Sequence, residues 1–342
     1  MNDFQLLEFL YQSSKICNKT NLIISELYLK YLIDIEQYEE SSKILETLDR
    51  NSHYFFLLEN NFLKQSGNWK YLDNFYTSIT QNSNVNNGFT SNAIDIYGMT
   101  FEVSDDAYPI NDIGISYSYS GTLYRYFNRN TQLRLRAYVS GEDYSGSLAD
   151  SYSPFFSSDY IYTKRDMISV TGGRSYWSGE EVYSLKSFSY TRKLTSAGNL
   201  KMMRFSAGDS KSPLNKMNSS RFTSVKGFFS TKKNFYINLE YTKNNTDFKS
   251  STYSGYSLST YKEFNIFSTY MIPYVELEKR SYDGVWTAYE KKRSYLKKNF
   301  GMTITSDKFK KLKIKLSTNR FNSNIAIYDN RVNLLEFEYS FF

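Results

Sequence analysis

The tightest constraint on this chain is the alternation with which it ends. Leu335, Phe337, Tyr339 and Phe341 are separated by Glu336, Glu338 and Ser340, and Phe342 follows. Successive side chains of a strand point to opposite faces, so this segment has one oily face and one polar face. A strand of this kind running to a C-terminal aromatic fits the closing strand of an outer-membrane β-barrel, where one face meets lipid and the other a wet lumen. A soluble edge strand shares the pattern in isolation, so the rest of the chain has to decide.

The pattern recurs from about Ile94 onward. Tyr97, Met99, Phe101 and Val103 alternate with Gly98, Thr100 and Glu102, and Ile113, Ile115, Tyr117 and Tyr119 with Gly114, Ser116 and Ser118. Further runs are Leu133 to Val139, Phe235 to Tyr241 and Leu312 to Leu316. Turn clusters separate them, among them Asn128-Arg129-Asn130, Ser196-Ala197-Gly198-Asn199 and Lys243-Asn244-Asn245-Thr246-Asp247. The Ser-, Asp- and Gly-rich tract from Gly141 to Phe156 reads as an outer loop. A soluble sandwich also alternates, but a barrel with a wet lumen accepts charged inner faces such as Lys311-Leu312-Lys313-Ile314-Lys315 in any strand.

Composition agrees. The chain has 33 Tyr and 26 Phe among 342 residues. Rings with a polar tip belong at membrane interfaces, where barrels carry aromatic girdles. The mean hydropathy of −0.55 fits strands that are half polar, whereas disordered chains are poor in aromatics. The expected fold is mainly β: an antiparallel transmembrane barrel of about 14 strands over residues 81–342, preceded over 1–80 by a short α-helical region. The first residues, Met1-Asn2-Asp3-Phe4-Gln5-Leu6-Leu7, lack the basic start and apolar core of a secretory signal. A mature form, a truncated form or a misplaced gene start would each account for that.

In the helical region Ile23, Leu27, Tyr31 and Ile35 recur at every fourth position, the spacing of an apolar helix face. A second helix is expected from about Tyr38 through Ile44, Leu45 and Leu48, and a third from about Tyr54 to Leu63. Between the first two, Glu36-Gln37-Tyr38-Glu39-Glu40-Ser41 sits where a tetratricopeptide repeat turns, with Glu36 in place of the usual Gly and Ser41 in place of Ala. An ordinary helical hairpin is the other reading.

Catalytic chemistry is thinly supplied. His53 is the only histidine and Cys17 the only cysteine, which removes Ser-His catalysis from the barrel and Cys/His zinc sites altogether. No enzyme, cofactor or metal is expected, and nothing points to nucleic acid. The net charge of +7 suits a cation-lined lumen or basic loops against anionic lipid. Arg134, Arg136, Lys311, Lys313 and Lys315 share the expected inner faces of their strands and would favour anions, as basic rings do in pores.

Two asparagine motifs carry a family likeness. Asn82-Ser83-Asn84-Val85-Asn86-Asn87 lies at the hand-over from helices to strands, and Asn322-Ser323-Asn324-Ile325-Ala326-Ile327-Tyr328-Asp329 just before the last strand. With helices in front and a barrel ending in Phe behind, the chain resembles the surface lipoprotein assembly modifier family. The residues matching its motifs are Asn84, Asn86, Asn87, Asn322, Asn324, Tyr328 and Asp329. The resemblance implies periplasmic tetratricopeptide repeats, a bacterial outer-membrane barrel, and non-enzymatic help in the surface display of lipoproteins. The implied partners are outer-membrane lipid, a client lipoprotein and the barrel-assembly machinery. An anion-preferring passive porin and a polysaccharide exporter of the repeat-plus-barrel type are the alternatives. Asn also bonds its own backbone in turns, which explains such motifs without any family.

Overall fold

The computed structural model describes residues 10–11, 22–35, 37–47, 59, 62–63, 66–88, 93–97, 99–128, 131–145, 150–163, 165–194, 199–213, 219–231, 234–266, 268–306 and 311–341. Cys17, Glu36, Leu48, His53, Gly98, Arg129-Asn130, Ser196 to Gly198 and Phe342 lie outside the described residues, as does most of the expected third helix. The chain divides into two compact units.

The smaller unit gathers the residues up to Tyr71 with the strand-end segments Leu123–Arg134 and Tyr160–Lys164. Its helices are α1 (Leu22–Asp34) and α2 (Tyr38–Thr47). Tyr28, Leu29, Leu32 and Ile33 of α1 pack with Ile44 and Leu45 of α2 and with Phe62 and Leu63, and Tyr124 and Tyr126 lean on the cluster. The expected apolar face is displaced. Leu27 and Ile35 are exposed, and the buried face lies one position further on. Ser41 is fully buried and returns its hydroxyl to the Gln37 carbonyl at 2.7 Å, as a small residue in a tight helical corner can. Among the described residues, α1 and α2 pair as a helical hairpin and no tetratricopeptide array is formed, which corrects that expectation.

The larger unit is a closed antiparallel barrel. Its strands are β1 (Trp69–Asn82), β4 (Asp112–Asn128), β5 (Thr131–Tyr144), β6 (Ser151–Ile161), β7 (Asp166–Trp177), β8 (Glu180–Lys193) and β9 (Leu200–Lys211). They continue with β10 (Ser220–Ser230), β11 (Phe235–Thr246), β12 (Tyr253–Lys262), β14 (Thr269–Trp286), β15 (Lys291–Ser306), β16 (Leu312–Ser323) and β17 (Asn330–Ser340). Neighbours in the chain pair throughout, β1 pairs with both β4 and β17, and β12 pairs with β14, so fourteen strands close a ring. Closure is what allows a sheet to sit in lipid, because no edge is left with unsatisfied backbone groups. A short strand, β13 (Phe264–Ile266), extends one turn of the barrel.

Several boundaries differ from the sequence reading. The first barrel strand begins at Trp69, inside the stretch expected to be helical. The run from Tyr97 to Val103 is no barrel strand. Tyr97 takes φ 51° and turns the chain between β2 (Ala93–Ile96) and β3 (Met99–Glu102), a separate hairpin. The expected outer loop at Gly141 to Phe156 shrinks to the segment between Tyr144 and Ser151, because β5 and β6 run into it from both sides.

Register assigns the two faces. Leu239, Tyr241 and Tyr256, Val170, Phe188, Phe205, Phe300, Leu316 and Phe337 are exposed on the outward face. Between them, inward, lie short polar residues paired across strands, for example Ser189 opposite Ser206 and Ser206 opposite Ser224. No described helix is long and apolar enough to cross a membrane. The β1 start and the β17 finish stand at one end of the barrel. The opposite end carries the connection between β1 and β4, with β2 and β3 in it, and one-turn helices at Thr287–Tyr289 and Ala326–Tyr328.

Candidate functional site: the lumen wall

The inward side chains form three polar groups along the wall. In the first, β16 and β17 set Lys313 opposite Glu338 and Lys315 opposite Glu336. Lys313 Nζ reaches Glu338 at 2.8 Å, and Lys315 Nζ reaches Glu338 at 2.5 Å and Glu336 at 3.5 Å. Ser78 of β1 donates its hydroxyl to Glu336 at 2.8 Å. Ser78, Lys315, Glu336 and Glu338 border a cavity of 440 Å³ shared with Thr80, Ser116, Ser140 and Glu142. Interlocked pairs hold their geometry better than isolated surface pairs, which are worth only about 0.2–1 kcal/mol each.

The second group lies on β10 to β15. Lys226 approaches Glu240 at 3.6 Å, Arg280 donates to Glu278 at 2.5 Å, and Asn299 donates to Glu276 at 2.9 Å. All but Asn299 share a cavity of 330 Å³ with Ser257, Ser259 and Lys297.

The third is aromatic and cationic. The Arg293 guanidinium sits 3.7 Å from the Tyr282 ring centroid, 4.1 Å from Tyr328 and 5.9 Å from Trp286. Arg280 lies 4.6 Å from Tyr253 and 5.2 Å from Tyr295. Cation–π contacts of this kind hold a guanidinium without cancelling its charge. The adjoining cavity of 570 Å³ is otherwise lined by Ser210, Ser220, Asn244, Thr246 and Ser251. Burial raises the Tyr328 phenol above its ordinary pKa, and Arg293 pulls the other way.

The basic residues singled out from sequence fall in different surroundings. Lys313 and Lys315 are spoken for by Glu336 and Glu338. Arg136 Nη2 is held at 2.5 Å by the buried Asp159. Arg134 donates to Gln132 at 2.7 Å within the smaller unit. Lys311 precedes β16 and donates to the Phe341 carbonyl at 3.1 Å, at the rim and not on the wall. The residues that sequence reasoning passed over are Arg204, Arg293 and Lys297. Arg204 is opposite Lys226 and donates to Thr191 at 3.0 Å, and Lys297 is opposite Glu278 and lies 5.6 Å from the Phe321 ring. Among the described residues none of the three has an ion pair. Local sequence shows their charge, but only the pairing of neighbouring strands shows which cations remain unbalanced.

The asparagine motifs lie at the end opposite the chain's strand termini and do turn chemistry there. Asn84 is buried. Its amide donates to the Gly88 carbonyl at 3.1 Å and to Asn330 at 2.6 Å, and its oxygen accepts the Gly88 N–H at 2.6 Å. Asn86 bridges the Tyr108 carbonyl and the Ile110 N–H, and Asn87 takes φ 52°. Asn324 caps the start of β15 through Ser294 and Lys292, Asp329 accepts the Ser323 N–H, and Asn322 pairs in register with Leu296. Tyr328 stands edge-on to Trp286 at 5.7 Å.

No protein-family profile and no curated protein matches the chain. Among solved structures it is similar to Pseudomonas aeruginosa OpdL, with 8% identity and TM-score 0.46 over 80% of this chain and 98% of that one. It is also similar to Pseudomonas aeruginosa OpdK with vanillate, at 10% identity and TM-score 0.46 over 79% and 98%. A BenF-like porin from Pseudomonas fluorescens Pf-5 matches at 11% identity and TM-score 0.44 over 79% and 98%. Matches this distant transfer no substrate. The resemblance to the surface lipoprotein assembly modifier family is not upheld, since no family profile matches and the described helices ahead of the strands form no tetratricopeptide array. The lipoprotein-display role, the client lipoprotein and the barrel-assembly machinery drawn from it are withdrawn. The structure itself shows a closed fourteen-stranded antiparallel β-barrel with apolar side chains on its outward face.

Proposed function

We propose that this barrel is a passive pore for small polar solutes, with a preference for anions. The observation that carries the reading is the charge balance of the lumen wall. Glu240, Glu278, Glu336 and Glu338 are ion-paired with Lys or Arg, and Glu276 and Glu142 accept hydrogen bonds from Asn299 and Tyr144, whereas Arg204, Arg293 and Lys297 face inward without an ion pair among the described residues. Unbalanced fixed cations raise the local concentration of anions and lower that of cations, which is how charged side chains set pore selectivity. The hydroxyl-rich remainder of the wall offers hydrogen bonds to a partly dehydrated solute without binding it tightly.

The test is the ratio of chloride to potassium permeability in planar bilayers for the whole chain and for a variant with Arg204→Gln, Arg293→Gln and Lys297→Gln. Each substitution removes one charge from the wall, and the triple variant is expected to lose the chloride preference or become cation-preferring. Lys311→Gln, which alters a rim residue, should leave the ratio where it was. A triple variant with unchanged selectivity would remove the basis of this reading.

A further inference from the structure

We infer that the outward face of β15, β16 and β17 is a binding site for an acylated, phosphate-bearing lipid of the leaflet at the loop-bearing end. In register, Lys298 stands opposite Arg320, and Arg320 opposite Arg331. All three share the outward parity of Phe300, Leu316 and Leu335, so they form a row of cations across neighbouring strands on the face that meets the membrane. Like charges directly opposite one another in a sheet repel. None of the three has an ion pair, ring contact or side-chain hydrogen bond among the described residues, so no described partner offsets that repulsion.

What lies beside the row gives the ligand its shape. Two residues along each strand toward the other end come Phe300, Thr318 and Asn333, and two further come Met302, Leu316 and Leu335. These line an outward groove of 700 Å³. At about 3.4 Å of rise per residue the basic row stands roughly 7 Å above the first layer and 14 Å above the second. A row of cations over an apolar trough of that depth matches a lipid whose phosphates sit at the headgroup level and whose chains run down the barrel wall. The row lies at the end opposite the β1 start, the end that carries the long connection between β1 and β4. Barrels have short periplasmic turns and longer outer loops, so the leaflet concerned is the outer one.

The test uses the full chain in nanodiscs of zwitterionic phosphatidylcholine containing a minor fraction of diphosphoryl lipid A, with lipid retained after purification counted by native mass spectrometry. The wild-type protein should retain lipid A in preference to phosphatidylcholine. With Lys298→Gln, Arg320→Gln and Arg331→Gln together, retention should fall roughly a hundredfold, about fivefold per charge. Heat-modifiable migration reports that the variant barrel has folded. Lys243→Gln, an outward lysine on β11 away from this row, should retain lipid A as the wild type does. Equal retention by the triple variant and the wild type would overturn the site. Displacement of the lipid by millimolar inorganic phosphate would show a site for the free anion and would overturn the lipid assignment.

Discussion

Replacing Leu239 by Arg is expected to destabilise the barrel by about 2–4 kcal/mol, the cost of a basic side chain on the lipid face near the bilayer midplane. Leu239 lies in the middle of β11, faces outward, and has Leu258 and Gly227 as its strand partners. No carboxylate is beside it. Ser257 is the control: it lies on β12 opposite Glu240 and Glu278, on the wet side of the same sheet. An arginine there gains two acidic neighbours and keeps its water, so Ser257→Arg should change stability by less than about 1 kcal/mol. Urea-unfolding midpoints in lipid vesicles separate the two. Equal losses would mean that the faces of β11 and β12 are exchanged, since a slip of one residue turns every side chain over.

Asn84→Ala is expected to cost about 1–3 kcal/mol, because it removes the closer acceptor of the buried Gly88 N–H, leaving only Asn86 at 3.3 Å, and frees Asn330. Gly88→Ala should cost more. A Cβ at that position would stand 2.4 Å from the Tyr108 carbonyl carbon and 2.6 Å from the Pro109 nitrogen, both backbone atoms that cannot swing aside. Asn86→Ala should be milder, since Asn86 and its partners are less buried. Thermal unfolding in detergent would rank the three. If Gly88→Ala proved the mildest, the close packing of the β1–β4 connection would be wrong.

The parts of the fold that could be read from sequence are those that a solvent boundary writes into it. Lipid on one side and water on the other impose period two on Phe235 to Tyr241, Leu312 to Leu316 and Leu335 to Phe341, and these are strands in the structure. β1 escaped because its outward positions include Thr77 and Gln81, which break the oily half of the alternation. The run at Tyr97 misled for the opposite reason: its spacing is regular, but a left-handed turn at Tyr97 folds it onto itself. In α1 a four-residue spacing was visible, while the choice between Leu27 and Tyr28 as the buried face depended on Phe62 and Leu63, distant in sequence.

The lumen was legible in kind but not in detail. That Lys313 and Lys315 would face inward follows from alternation. That Glu336 and Glu338 would neutralise them follows from the register of β16 against β17, which no single segment reveals. Arg293 carries no signal in its own surroundings, Lys291-Lys292-Arg293-Ser294, and acquires its place only when Tyr282, Trp286 and Tyr328 are brought round it. The Asn motifs were visible as motifs, and their role as loop fasteners was the ordinary chemistry of asparagine in turns.

We propose an anion-preferring pore within the closed fourteen-stranded barrel. Its most direct test is the reversal potential of the wild-type chain in a planar bilayer under a steep potassium chloride gradient. A zero-current potential displaced toward the chloride equilibrium value is the expected result. A potential displaced toward that of potassium, or a folded barrel that passes no current, would contradict it.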